Sequence, residues 1–143
     1  MTNSREHVLL GHLAAFGDCL CASALTRQIK QDHPGCHLTW AIARPYRQVA
    51  EQNPFVDEIW ELPFTGGEAA SSGWKLFLRE ARRRKQRGEF DRLYLTQVPP
   101  DNYGRFDGTV RASILNGYPN PITVPIAPIV RLSPEEVRRV DEF

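Results

Sequence analysis

Apolar residues recur along the first two thirds of the chain with two alternating periods. Short apolar runs bounded by glycine, proline or polar residues are typical of buried strands. Four such strands are predicted: Val8–Leu10, Leu38–Ala43, Asp57–Leu62 and Phe90–Gln97. Between them, apolar spacings of three and four predict helices over Asp18–Asp32, Pro45–Asn53 and Gly73–Arg87, with a loop over Thr65–Gly73. Because parallel neighbours need crossover helices, this alternation predicts an α/β fold, a Rossmann-like parallel sheet with helices on both faces.

The pattern loosens after Gln97. A short helix is predicted over Thr109–Asn116, and the prolines that follow exclude a regular central strand before about Ile129. The segment "SPEE", Ser133–Glu136, predicts a helix start with a capping box. We therefore expect one Rossmann-like domain over residues 1–132, and over 133–143 the start of an interdomain helix or second domain that is truncated here.

Composition indicates an ordinary globular protein and excludes few functional classes. The chain has 143 residues, 41% of them hydrophobic, which suits one globular domain. A net charge of +1 lacks the global basic excess of many nucleic-acid binders. "ASA" at 22–24 resembles a signal-peptidase site, but helical spacing continues past it to Ile29, and no stretch approaches the roughly 20 apolar residues of a membrane span. Cys19 and Cys21 would point to different helix faces, so no metal site is expected.

The loop from Gly11 to Asp18 is the first candidate site, because ligands of open parallel sheets bind outside the carboxyl ends of the strands. The loop has neither the Gly-Lys-Ser/Thr of a P-loop nor the glycine spacing of a dinucleotide fingerprint. Arg44 follows the second strand where a ribose-binding acid would stand, which disfavours a nicotinamide dehydrogenase. Asp18 itself has two interpretations, a helix N-cap or a catalytic base. A base must keep an oxygen free, because a carboxylate held by backbone amides has a lowered pKa.

Two further groups of residues could bind a ligand. The predicted helix from Trp74 to Arg87 carries seven basic residues against one acid, Glu80. This pattern suits either a solvated helix face or attraction to anionic lipid headgroups or an acidic glycolipid, whereas nucleic acid is disfavoured because no aromatic residues alternate with the arginines. The loop "DNYGRFDG" after the fourth strand offers polar side chains, although turn chemistry explains it equally well.

Several segments resemble, in the same order, the N-terminal domain of the family 9 glycosyltransferases, which are heptosyltransferase-like enzymes of the lipopolysaccharide core. The segments are "HLAAFGD", "ALTRQIKQDHPG", "LTWAIA", "NPFVDEIWEL" and "FDRLYLTQ", and they cover roughly residues 8–97. The resemblance implies a GT-B architecture of two Rossmann-like domains. The N-terminal half would receive the acceptor, and a missing C-terminal half would bind the nucleotide sugar. Asp18 matches the aspartate proposed in that family as the base that deprotonates the acceptor hydroxyl, with inversion at the anomeric carbon.

The resemblance sets the functional expectations. We expect an inverting transferase domain, inactive alone, that binds a glycolipid or saccharide acceptor without metal or nucleic acid. We also expect a cytoplasmic location with peripheral contact to the inner membrane face through the basic helix. The predicted acceptor-binding residues are His12, Gly17, Arg79, Arg82, Arg83, Asp101, Asn102 and Arg105.

The sequence also departs from the family pattern. His12 replaces a usual arginine or lysine, Ser23 and Ala24 replace a common Thr-Pro pair, and the sequence beyond Gln97 differs, which leaves the acceptor open. The alternative from another class is a non-catalytic Rossmann-like module that binds an anionic ligand or a protein partner, with Asp18 only capping a helix.

Overall fold

The structure is a computed structural model that describes residues 5–99, 104 and 108–142. Within these residues, four strands form one parallel sheet in the order β3-β2-β1-β4. They are β1 (His7–Gly11), β2 (His37–Ala43), β3 (Glu58–Leu62) and β4 (Arg92–Leu95). The predicted parallel α/β fold is confirmed, and each strand boundary lies within two residues of the prediction.

The helices follow the predicted order with two differences. Those described are α1 (Phe16–Asp32), α2 (Arg47–Glu51), α3 (Gly66–Ala69), α4 (Ser72–Gln86), α5 (Val110–Leu115) and α6 (Pro134–Asp141). The helix predicted from Pro45 begins as a 3-10 turn over Arg44–Tyr46. The predicted loop Thr65–Gly73 is wrong in part, because it contains α3, a single turn capped by Thr65 and too short to show a period. The capping box of α6 is confirmed, with Ser133 and Glu136 bonded in both directions.

The sheet is covered on both faces because its strand residues alternate in direction. Val8 and Leu10 pack with α1, α2 and α5 on one face, around the fully buried Trp40. Leu9 packs on the opposite face with α3 and α4, against Trp74 and the rest of that cluster. The two central strands, β1 and β2, are therefore buried on both faces, as their continuous apolar runs predict.

The strand order creates a switch point between β1 and β4. From β1 the chain passes through α1 to β2 and through α2 to β3, with both helices on one face. It then crosses back through α4, on the opposite face, to β4 on the other side of β1. The carboxyl ends of β1 and β4 therefore form the edge at which ligands of such sheets usually bind.

The segment after α5 contains prolines at 119, 121, 125 and 128 and lies along α1. Several of its backbone amides donate hydrogen bonds to side chains of that helix. The side-chain oxygen of Gln28 accepts from the backbone amides of Thr123 and Val124, at 2.7 and 3.0 Å. The hydroxyl of Ser23 accepts from the Ile129 amide at 2.8 Å. Ser23 and Gln28 are buried in α1, and they accept hydrogen bonds from backbone amides of a segment that forms no strand and so has no neighbouring strand to bond to.

The segment "NPFVDE", which carries part of the family resemblance, has a structural role here. The buried Asn53 amide donates to the hydroxyl of Thr26 at 2.9 Å. The Asp57 carboxylate accepts from the Leu38 amide at 2.8 Å and contacts the Lys30 ammonium. Partial burial favours the neutral carboxyl, but these two donors outweigh it and hold the pKa of Asp57 below its ordinary value. The contacts lie at the amino ends of β2 and β3, at the edge of the sheet opposite the switch point.

Gly11 and Gly17 provide a matched test of how β1 approaches α4. A Cβ on Gly11 would lie 2.8 Å from Leu95 Cδ2 and 2.8 Å from Phe77 Cζ, whereas one on Gly17 would have nothing within 4 Å. We expect Gly11→Ala to lower the free energy of unfolding by about 1–3 kcal/mol through overpacking. Gly17→Ala should be neutral or should stabilise by up to about 1 kcal/mol. Urea denaturation measures both, and equal stability of the two variants would contradict the packing of Phe77 and Leu95 on β1.

Candidate functional site

The candidate site lies at the carboxyl edge of the sheet, where the chain continues for two residues past β1. The His12 amide donates to the Ala41 carbonyl at 3.2 Å, and the Ala43 amide donates to the Leu13 carbonyl at 3.0 Å. The chain then passes through the cis Ala14–Ala15 peptide bond into α1. The loop is consequently held against β2 on one side until it reaches the first turn of the helix.

On the β4 side, one buried side chain holds the same loop. The Gln97 side-chain oxygen accepts from the Leu13 and Ala14 amides, at 2.8 and 3.1 Å. Its side-chain nitrogen donates to the Ala69 carbonyl at 2.9 Å and to the Pro99 carbonyl at 3.0 Å. Gln97 therefore joins the loops that follow β1, β3 and β4. The sequence predicts Gln97 only as the end of a strand and gives no sign of this role.

His12 lies beneath the edge of the sheet. Its side chain is 1% exposed, and its Nδ1 lies 3.0 Å from the Thr96 hydroxyl oxygen. Its backbone carbonyl accepts from the indole nitrogen of Trp40 at 3.0 Å. These contacts anchor the loop from below, and acceptor binding by His12 stays a prediction.

Asp18 is not the N-cap of α1, which corrects one of its two interpretations. The helix begins two residues earlier than predicted, so Ala15 is the N-cap residue, without a side-chain capping bond. Asp18 is the third residue of the helix, and the Ala15 backbone amide faces its carboxylate. An acid in this first turn also interacts favourably with the helix dipole.

The position of Asp18 on the helix explains its electrostatics. Asp18 continues, at spacings of four, three and four, the stripe formed by the fully buried Ala22, Leu25 and Ile29. The stripe faces the core, but at Asp18 the helix has passed the end of the strands, so the side chain is half-buried. Burial raises the pKa of Asp18 above its ordinary value, although the Ala15 amide acts in the opposite direction. A half-buried carboxylate of raised pKa is a better proton acceptor than a surface aspartate.

The first turn of α1 is open to a ligand. Ala15, Phe16 and Gly17 are exposed, and no atom lies within 4 Å of where a Gly17 side chain would begin. A ligand could therefore approach the backbone of this turn closely. Gly17 and Asp18 therefore lie at the same opening, and their predicted roles in acceptor binding and catalysis stay predictions.

The structure does not bring the predicted arginines of α4 to this opening. Arg79, Arg82 and Arg83 lie on the helix that covers the opposite face of the sheet. The Asp91 amide bonds to the His7 carbonyl, which places the end of α4 near the amino end of β1. The predicted acceptor-binding residues Asp101, Asn102 and Arg105 lie outside the described residues.

An apolar groove of about 120 Å³ was not predicted from the sequence. It lies on the side of α1 away from Asp18 and includes Phe16, which is 52% exposed, and Leu20. Val49 of α2 and Ile129, Val130 and Leu132 complete its apolar lining. The sequence carries no signal for the groove, because a non-periodic segment forms one of its walls.

The described residues contain neither a side-chain cluster that could hold a metal ion nor a helix that could cross a membrane. Among residues 5–99, 104 and 108–142, no three His, Cys, Asp or Glu side chains cluster so as to hold a metal ion. No helix in these ranges combines the length and the apolar character needed to cross a bilayer.

Comparison with known proteins gives a distant structural likeness. No protein-family model matches the chain, and no curated protein matches it. A solved structure similar to this chain is that of the glycosyl transferase family 9 from Veillonella parvula DSM 2008, at 23% sequence identity and a TM-score of 0.49. The likeness covers 67% of this chain and 27% of that one, so this chain matches about a quarter of that protein. A likeness at this level does not establish a shared activity.

Replacing Gln97 tests the junction of the three loops. Gln97→Met keeps the approximate volume but leaves the buried Leu13 and Ala14 amides without their acceptor. Because each buried unsatisfied group costs about 1–3 kcal/mol, we expect the free energy of unfolding to fall by about 2–5 kcal/mol. Gln86→Met, at an exposed position of α4, should change it by less than about 0.5 kcal/mol. Urea denaturation that shows equal losses for both variants would contradict the role of Gln97.

The pH dependence of stability tests the environment of Asp18. Its pKa is higher in the folded than in the unfolded chain, so its contribution to stability is present at low pH and is lost as pH rises. Asp18→Asn, which stays neutral, should therefore raise the melting temperature at neutral pH, and the difference should narrow as pH falls through the raised pKa. Calorimetry across this range measures the effect. A loss of about 1 kcal/mol at neutral pH, the cost of removing a helix cap, would contradict it.

Proposed function

We propose that this chain is the acceptor-binding domain of an inverting glycosyltransferase, and that Asp18 is its general base. The observation that carries the proposal is a half-buried carboxylate of raised pKa beside the open first turn of α1, at the switch point of the sheet. The "FGD" segment of the sequence, which resembles that of the family 9 glycosyltransferases, supports the same assignment.

In the proposed reaction, the acceptor hydroxyl occupies the opening beside Gly17, within reach of the Asp18 carboxylate. The hydroxyl proton passes to Asp18 while the acceptor oxygen forms a bond to the anomeric carbon of a nucleotide sugar. The bond from that carbon to the phosphate oxygen breaks, and the nucleoside diphosphate leaves with the electron pair. Attack opposite the leaving group inverts the configuration.

The substrates are proposed at the level of chemical class. The acceptor is a saccharide or glycolipid of the lipopolysaccharide-core type. The nucleotide sugar binds to a second, donor-binding domain that faces the carboxyl edge of this one. This chain contributes the acceptor side and the base, with no role for a metal ion.

Transfer by a polypeptide that carries this chain together with a donor-binding domain tests the base. Asp18→Asn keeps the shape of the side chain but cannot accept the proton, so we expect kcat to fall by about 10²- to 10⁴-fold with little change in the acceptor KM. The acidic limb of the wild-type kcat/KM profile should report a pKa above the ordinary aspartate value, because burial raises the pKa of Asp18.

The matched control is Glu68→Gln, which neutralises an exposed carboxylate on α3, at the same edge of the sheet. Its kcat should equal that of the wild type. Near-normal transfer by a folded Asp18→Asn variant would reject the catalytic role and would favour a non-catalytic module that binds an anionic ligand or a protein partner.

A further inference from the structure

The outward face of α4 carries cations that have no acidic partner. Among the described residues, Lys75, Arg79 and Arg82 make no ion pair, and all three side chains are exposed. The one acid of the helix, Glu80, is engaged instead by Arg83 and Arg84, at 3.5 and 3.0 Å. The positive charge of this face is therefore not neutralised within the described structure, although the whole chain has a net charge of only +1.

These cations line a broad groove that belongs to a single helix. The groove has a volume of about 570 Å³ and is lined by Lys75, Leu78, Arg79, Arg82, Arg83 and Gln86. Its low-exposure residue is the apolar Leu78, and each polar side chain along it is exposed. A site for one small anion needs converging, buried donors, which this groove does not offer among its lining residues. The spread of charge from Lys75 to Arg83, along about 12 Å of helix, suits an extended anionic surface.

We propose that α4 docks this domain onto a membrane that contains anionic phospholipids. Leu76 supports this partner, because it is 54% exposed and lies on the helix beside Arg79 and Arg83, as apolar side chains do in helices that lie on a bilayer. Single-stranded nucleic acid fits less well, since no aromatic side chain of α4 is exposed: Trp74 and Phe77 are buried in the core.

The outward face of α4 and the opening beside Gly17 and Asp18 lie on different sides of the domain, so both can be occupied at once. The helix α4 covers one face of the sheet, whereas Asp18 lies at the carboxyl edge, on a helix that packs on the opposite face. A bilayer against the outer side of α4 would therefore leave the opening beside Gly17 accessible. The docking proposal does not depend on the reaction assigned to Asp18.

Vesicle co-sedimentation of the 143-residue chain tests the proposal. We expect binding to vesicles of equal parts phosphatidylcholine and phosphatidylglycerol, loss of binding at high salt, and no binding to pure phosphatidylcholine. The triple variant Lys75→Gln, Arg79→Gln, Arg82→Gln should partition about 100-fold more weakly, given the usual contribution of each basic residue near an anionic surface. Its circular dichroism melting curve should match the wild type, because the three side chains are exposed.

The matched control removes the same charge elsewhere, with Arg131→Gln, Arg138→Gln and Arg139→Gln in the exposed C-terminal part of the described chain. Its vesicle binding should change by less than about threefold if the α4 face is the contact. Equal losses in the two triple variants, or equal wild-type binding to both vesicle types, would overturn the proposal. So would displacement from vesicles by inorganic phosphate at constant ionic strength, which indicates a discrete anion site, or tighter binding to a short single-stranded RNA than to anionic vesicles.

Discussion

The geometry of the carboxyl edge depends on the hydrogen bonds of one buried amide. The chain leaves β1 in an extended conformation and must turn into α1, and at that turn the Leu13 and Ala14 amides lie beyond the sheet ladder. A buried amide without an acceptor would be costly, and the oxygen of Gln97 accepts from both. The nitrogen of the same side chain donates to the Ala69 carbonyl, so the loops after three strands share one connection. The position of Asp18, four residues after Ala14, follows from where this connection fixes the start of the helix.

The sequence predicted those parts of the molecule that hydrophobic burial determines. The runs at Val8–Leu10 and Leu38–Ala43 face apolar side chains on both sides, and a run of this kind fits only a covered parallel strand. The capping box at Ser133 was predictable because it is a local pattern of side chains and backbone. The start of α1 was not, because Phe16 and Gly17 carry no start signal and the N-cap, Ala15, makes no side-chain bond. The contacts of Gln97 link residues distant in the sequence, which periodicity cannot reveal.

The sequence singled out Asp18 as a candidate from its place after a strand. The structure adds the reason for its raised pKa, because the carboxylate continues a buried stripe beyond the end of the sheet. Sequence spacing alone could have shown that Asp18 falls in register with Ala22, Leu25 and Ile29. By contrast, grouping Arg79, Arg82 and Arg83 with Asp18 required knowledge of the strand order, since only the crossover through α4 shows that this helix covers the other face.

The half-buried carboxylate of Asp18 and the cations Lys75, Arg79 and Arg82 of α4 share one physical property. Each departs from what stability alone favours: Asp18 holds a charge where burial opposes it, and α4 concentrates like charges that repel one another. Asp57 is the contrasting case, because Lys30 and the Leu38 amide compensate its charge and lower its pKa. Charge without an ion-pair partner therefore occurs at an opening at the carboxyl edge and along an outward helix face, and a ligand can reach both surfaces. Among the described residues, neither Asp18 nor the cations Lys75, Arg79 and Arg82 form an ion pair. Such an arrangement is expected where a bound partner supplies the compensation, and it is the physical basis of the roles proposed above for Asp18 and for α4.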